Sequence, residues 1–220
     1  MKITKFEQSG FIIESEKGFR LAIDIGNKTP LEKLDGISCD TMLISHIHGD
    51  HFSIEQIKKL NPKTILLPRN CYDVLHEQSI IDVVTASPAD KPVIASNMCI
   101  ISTEAEYEDE NFTLQVFSVD HGPNLTVPIT ENYGFLINVD DQNIYFAGDM
   151  FYESEIDVSE LVVDYLLLPV GTFYTFGPEE AFDFAQKFEK IGKIISMHYE
   201  NKPETHGQFL ELVKGTFDVE

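Results

Sequence analysis

Apolar positions along this chain fall into short runs of strand-like spacing, interrupted by a few stretches of helical spacing. The opening runs KITKF, GFIIES and FRLAIDIG are separated by Gly and charged residues, a pattern that predicts antiparallel strands and hairpins. TMLIS (41–45), with Met42, Leu43 and Ile44 in succession, predicts a short strand of the buried style. In SIEQIKKL (53–60), Ile54, Ile57 and Leu60 share one helical face and Ser53 stands at the N-cap. TILLP predicts a strand and NCYDVLHEQ a short helix. IDVVT, PVIASNMCIIS and NFTLQVFSVD predict further strands, then YGFLINV and NIYFAG form a pair around the turn DDQN. DYLLLPV has the continuous apolarity of a strand buried on both faces. PEEAFDFAQKFEKIG predicts a helix with Pro178 at its first position, acids in its first turn, Lys187 and Lys190 late, and Gly192 as its stop. Ala181, Phe184, Ala185 and Phe188 form its apolar face. KIISMHY is a last strand and HGQFLELVKG a terminal helix. With no linker, repeat or low-complexity tract, residues 1–220 read as one compact α/β domain.

Composition narrows the class. The chain is 43% hydrophobic with 16 Phe, enough for an ordinary core without staples. No run of eighteen apolar residues predicts a membrane span, and MKITKFEQSG lacks the apolar core of a secretory signal. Cys39, Cys71 and Cys99 are odd in number and far apart, so they read as small buried hydrophobes in a reducing compartment, with cytoplasm the expected location. A net charge of −21 with no basic cluster beyond pairs such as Lys58–Lys59 speaks against a nucleic-acid partner. The expected partner is a small-molecule substrate, with no membrane association; oligomeric state is not legible.

Candidate chemistry concentrates in SHIHGDHFS (45–53), which holds three of the seven histidines beside an aspartate. A polar loop or satisfied core histidines would explain each residue singly, but less readily all four together. His46 and His48, one residue apart on an extended loop, point the same way and can grip one ion; Asp50 and His51, turned by Gly49, can serve a second. Three more apolar strands run into a ligand type: LQVFSVD into His121, NIYFAG into Asp149 and KIISM into His198. Strand ends are where mixed α/β folds assemble sites. One site gathered from the length of the chain is therefore expected.

These motifs, in this order, resemble those of the metallo-β-lactamase superfamily. SHIHGDHFS resembles its signature loop, VDHG its next ligand motif, YFAGD its bridging aspartate and SMHYE its closing histidine. The resemblance implies that His46, His48 and His121 hold one metal, that Asp50, His51 and His198 hold the other, and that Asp149 lies between them. It also implies that Asp24, in IDIG, orients a ligand histidine, and that the fold is a four-layer αββα sandwich. GTFYTFGPEEA with KIISMHYE is similar to the branch of small metal-dependent hydrolases that contains ascorbate-6-phosphate lactonase. Position 48 is His where the oxygen-reducing di-iron members resemble H-x-E, and no nucleic-acid-gripping arm is present. Both departures favour hydrolysis.

The expected activity is hydrolysis of a small ester, lactone, thioester or phosphoester by a hydroxide between two divalent ions, with Asp50 and Asp149 carrying the catalytic carboxylates. A His/Asp set without cysteine suits Zn2+ first, with Mn2+ or Fe2+ as alternatives. A phosphodiesterase or nuclease of the same fold, and a non-catalytic metal-binding module, are the competing functions. Tyr174 and Thr175, before the Pro178 helix, are candidates for substrate contact, although packing competes as an explanation. Tyr133 and Tyr199 could donate a proton to a leaving group, and Arg69 could meet an anion. His76 and the loop residue His206 read as solvent-side.

Overall fold

A computed structural model describes residues 1–76, 97–103, 106–122, 129–151, 154 and 156–220. The predicted strand IDVVT and part of PVIASNMCIIS lie outside the described residues. The chain forms two compact units, one of Lys2–Phe6 with Gly10–Ile101, the other of Met1, Glu7–Ser9 and Ser102–Glu220.

The first unit is a six-stranded sheet in the order β1 (Lys2–Lys5), β2 (Phe11–Glu14), β3 (Arg20–Ile23), β4 (Thr41–Leu43), β5 (Thr64–Leu67), β6 (Asn97–Ile100). β1 to β3 are antiparallel, as the short charged turns between them require, whereas β3 to β6 are parallel. Parallel neighbours need crossovers, and those described contain a 3-10 turn at Leu31–Leu34, helix α1 (Ile54–Leu60) and helix α2 (residues 69–76). Leu34, Ile57, Leu60, Cys71 and Leu75 from these segments pack on Ile12, Ala22, Met42, Ile44, Ile65 and Leu67 of the sheet side. Each Leu, Ile or Met among these contributes about 1.5–3 kcal/mol by leaving water. Ser53 does occupy the N-cap of α1, but its hydroxyl bonds Gln56 Oε1 instead of capping a backbone N–H.

The second unit is a six-stranded sheet in the order β12 (Lys190–Met197), β11 (Val162–Pro169), β10 (Gln142–Phe146), β9 (Tyr133–Val139), β8 (Thr113–Ser118), β7 (Glu106–Glu108). β8, β9 and β10 are successively antiparallel, and β10, β11 and β12 are parallel. β8, β10, β11 and β12 therefore all run the same way, and their C-terminal ends lie on one rim of this sheet. Helices α3 (Pro178–Ala185) and α4 (Pro203–Val213) place Ala181, Phe184, Ala185, Phe209 and Val213 against Tyr145, Leu166, Leu168 and Ile194.

Four expectations are corrected. The helix after Pro178 ends at Ala185, so Lys190 and Gly192 belong to β12. A Cβ at Gly192 would lie 2.6 Å from the Asp164 carbonyl oxygen, so glycine here serves close strand approach, not helix termination. The last helix starts at Pro203, so His206 is helical and half-buried, its ring 4.5 Å from that of Tyr199. Cys99 is exposed, because β6 alternates outward and inward along its length. β7, three residues reading EYE, was not predicted at all.

Tyr145 is fully buried among Phe117, Phe184 and Phe188, and among the described residues its hydroxyl has no hydrogen-bond partner. Burial pushes its phenol up. An unsatisfied buried hydroxyl costs free energy that its removal returns. We expect Tyr145→Phe to fold normally and to gain about 1 kcal/mol in urea unfolding; a loss of stability would refute the burial argument.

Candidate metal centre

In the first unit the loop after β4 carries Ser45, His46, His48, Asp50 and His51. His46 and His51 are fully buried, and His48 and Asp50 are half-buried. His46 Nε2 and His48 Nδ1 face each other at 3.0 Å, and His51 Nε2 lies 3.9 Å from Asp50 Oδ2. Beneath them Asp24, just past β3, is wholly buried at φ +45°, a conformation costly to a non-glycine residue. Its carboxylate accepts from His51 Nδ1 at 2.7 Å, from the Ser45 backbone N–H at 2.8 Å and from the Ser45 hydroxyl. Burial pushes the Asp24 carboxyl up, against the pull of His51 and the Ser45 donors. With Nδ1 of His51 engaged by Asp24, any ligand role of this ring falls to Nε2. Asp24, His46 and His51 each offer an atom to one cluster, all within 4.8 Å of one another. Glycine makes this packing possible: a Cβ at Gly26 would meet the Asp50 carbonyl carbon at 2.1 Å.

In the second unit the rim holds His121 three residues after β8, Asp149 three after β10 and His198 next after β12. All three are buried. Asp149 Oδ2 lies 3.1 Å from His198 Nε2 and 3.4 Å from His121 Nε2. Asn132, whose part was not read from sequence, donates its amide to the main-chain carbonyls of Val119 (3.3 Å) and Asp149 (3.0 Å), tying two of these segments together. His198 sits at φ +59°, its N–H bonded to the Gln8 carbonyl at 3.2 Å.

The donor chemistry of both sets fits divalent metal. Four-coordinate zinc at about 2.0–2.1 Å from nitrogen sets neighbouring ligand atoms roughly 3.3 Å apart. The separations of 3.0, 3.1 and 3.4 Å between facing nitrogen and oxygen atoms bracket that spacing.

A family model described as the beta-lactamase superfamily domain matches residues 2–198. The chain belongs to the metallo-β-lactamase superfamily. Among curated relatives in that superfamily, a UPF0173 metal-dependent hydrolase of Methanosphaera stadtmanae is 30% identical, covering 92% of this chain and 86% of the relative. Another, from Thermococcus kodakarensis, is 28% identical over the same shares. The solved structure of Igni18, a metallo hydrolase from Ignicoccus hospitalis, has a TM-score of 0.71 at 21% identity, over 99% of this chain and 93% of that one. The α/β architecture, with two sheets and four helices among the described residues, is a metallo-β-lactamase fold.

The weaker candidates lie as follows. Tyr174 is exposed, whereas Thr175 is buried with its hydroxyl donating to the Phe176 carbonyl at 3.5 Å. Tyr133 is buried at the start of β9, where burial and Glu131 push its phenol up. Exposed Arg69 lies over the Tyr72 ring, and exposed His76 stacks on it. Among the described residues no helix is long and apolar enough to cross a membrane.

Proposed function

We propose that this metal-dependent hydrolase of the metallo-β-lactamase superfamily cleaves a small ester, lactone, thioester or phosphoester at a dinuclear site. In this reading one domain, residues 1–220, contributes both ligand sets. His46, His48 and His121 hold one ion, Asp50, His51 and His198 the other, and Asp149 serves both. The observation that carries the reading is the buried Asp149 carboxylate, faced by ring nitrogens of His121 and His198 at ligand-like spacing. Motif order within the family is what joins this set to the His46–His51 loop.

When bound, divalent ions such as Zn2+, Mn2+ or Fe2+ bring the pKa of water to about 7 and polarise a substrate oxygen. The chain's own part is to hold the donors. Asp24 keeps the His51 Nδ1 proton in place, Ser45 reaches both Asp24 and His46 Nδ1, and Asn132 holds the Val119 carbonyl, two residues before His121, together with that of Asp149. Tyr174 and Thr175 stand by as substrate contacts, and Tyr133 or Tyr199 as proton donors to the leaving group. The acidity of the chain, net −21, supports a small substrate over nucleic acid, and its three widely spaced cysteines support a reducing compartment such as the cytoplasm. The likeness to ascorbate-6-phosphate lactonase makes lactones a first choice for assay.

The test is metal analysis of the purified chain, then activity on chromogenic esters, lactones, thioesters and bis-p-nitrophenyl phosphate. Turnover that disappears with chelator and returns with Zn2+ or Mn2+ is expected. Silence across the panel with metal fully loaded would favour the non-catalytic module.

A further inference from the structure

The segment GTFYTF (171–176), between β11 and α3, is pinned at both ends to ligand-bearing backbone. Val170 N–H bonds the Met197 carbonyl at 3.0 Å, and Gly171 packs so tightly that a Cβ there would lie 1.7 Å from the His198 carbonyl oxygen. At the other end Phe176 N–H bonds the carbonyl of Met150, next to Asp149, at 3.0 Å. The loop closes on itself through Thr172 N–H to the Phe176 carbonyl at 2.9 Å. Phe173 is two residues from the His198 contact, so its Cα lies within about 7.6 Å of that of Gly171.

Two features of this loop oppose ordinary folding economy. Thr172 and Phe173 have φ of +60° and +74°, a region that β-branched and aromatic residues avoid. The side chains so displayed are not buried: Phe173 is 59% and Tyr174 42% exposed, and Phe173 is the most exposed large apolar residue among those described. Their rings meet edge-to-face at 4.8 Å and 80°. A backbone in the left-handed region that leaves two aromatic rings largely exposed, in a loop tied to the main chain at Met150 and packed on that of His198, suits contact with a bound ligand. On the same rim the Phe151 ring covers Gly122, beside His121, within 2.9 Å of where a Cβ would stand.

We infer that Phe173 and Tyr174 form the substrate-selecting wall on the Asp149/His198 side of the site, and that the substrate is a carboxylic ester, thioester or lactone carrying an aromatic or branched apolar group. This rests on the hydrolase reading above. Uncharged ring faces reward an apolar group and give nothing to a bare acetyl.

The experiment uses the zinc-loaded full chain, with p-nitrophenyl phenylacetate and p-nitrophenyl acetate as substrates. Binding of the product anions phenylacetate and acetate is measured by calorimetry. Phe173→Ala and Phe173→Gly are compared with the parent. We expect the phenylacetate-to-acetate ratio of kcat/KM to fall about tenfold in both, with a parallel fall in the binding preference. Glycine suits φ +74°, so Phe173→Gly keeps its melting temperature. An unchanged ratio, an equal loss on both esters, or a melting temperature that drops in the glycine variant overturns the inference. If no ester is turned over yet phenylacetate binding still depends on Phe173, the wall stands and the hydrolase reading falls. If esters are hydrolysed but neither variant alters discrimination in binding or rate, the hydrolase reading stands and the wall falls.

Discussion

Replacing Asp149 by alanine is expected to remove metal-dependent turnover while leaving the chain folded. The residue is 2% exposed and its Oδ2 faces both His121 and His198, so it is the common member of the rim set. Losing a group that merely hydrogen-bonds a metal ligand costs about 10–100-fold in affinity or activity, and losing a ligand itself, the role proposed for Asp149, costs more. The fold should survive because this segment is held through its main chain. Asn132 grips the Asp149 carbonyl, and the Phe151 N–H bonds the Asp120 carbonyl at 2.8 Å. Metal per chain by elemental analysis should fall below that of the parent, hydrolysis should drop beneath detection, and circular dichroism should be unchanged. Parental activity in this variant would defeat the assignment of Asp149. The same holds for His48→Ala in the loop after β4.

Asp24 yields the second large effect, and it separates stability from metal binding. Its carboxylate satisfies three donors in a fully buried spot: the Ser45 N–H, the Ser45 hydroxyl and the His51 ring. Alanine leaves those donors stranded, each at about 1–3 kcal/mol, so a loss of about 3 kcal/mol or more is expected in urea unfolding of the metal-free chain. Asparagine fills the same volume and its oxygen can still accept from Ser45, so it should cost less. Its amide hydrogens, however, meet His51 Nδ1 and drive that ring to the tautomer protonated on Nε2. Zinc affinity should then fall about 10–100-fold in Asp24→Asn, as it does when the partner of a ligand histidine is lost. An asparagine variant that binds zinc like the parent would show that Asp24 only props the fold.

Much of this architecture could be read from residue order. TMLIS, LQVFSVD, NIYFAG and KIISM are apolar enough to be strands and each stops at a His or Asp, which marked the segments where ligands stand. Helix ends were less legible. Apolar spacing from Ala181 continues to Phe188, yet strand pairing of Lys190 with Val162 claims the following residues, because parallel strand pairing outweighs local propensity here. β7 escaped notice since EYE has one apolar residue and owes its strand geometry to pairing with Thr113–Gln115. Asn132 and Gly171 were invisible for a different reason. They act on main-chain atoms of residues distant in sequence, and no period or motif encodes a contact with a carbonyl oxygen. Left-handed backbone at Asp24 and His198 is similarly unreadable, since neither residue type announces it.

The rim of the second sheet is laced together by peptide groups: Val170 to Met197, Phe176 to Met150, His198 to Gln8, and Val119 to Asn132. A scaffold knit this way is indifferent to most of the side chains it displays. Over evolutionary time such a chain can change its taste in substrates residue by residue while its catalytic frame stays still, and a library randomised at 173 and 174 should keep an unusually high fraction of folded members.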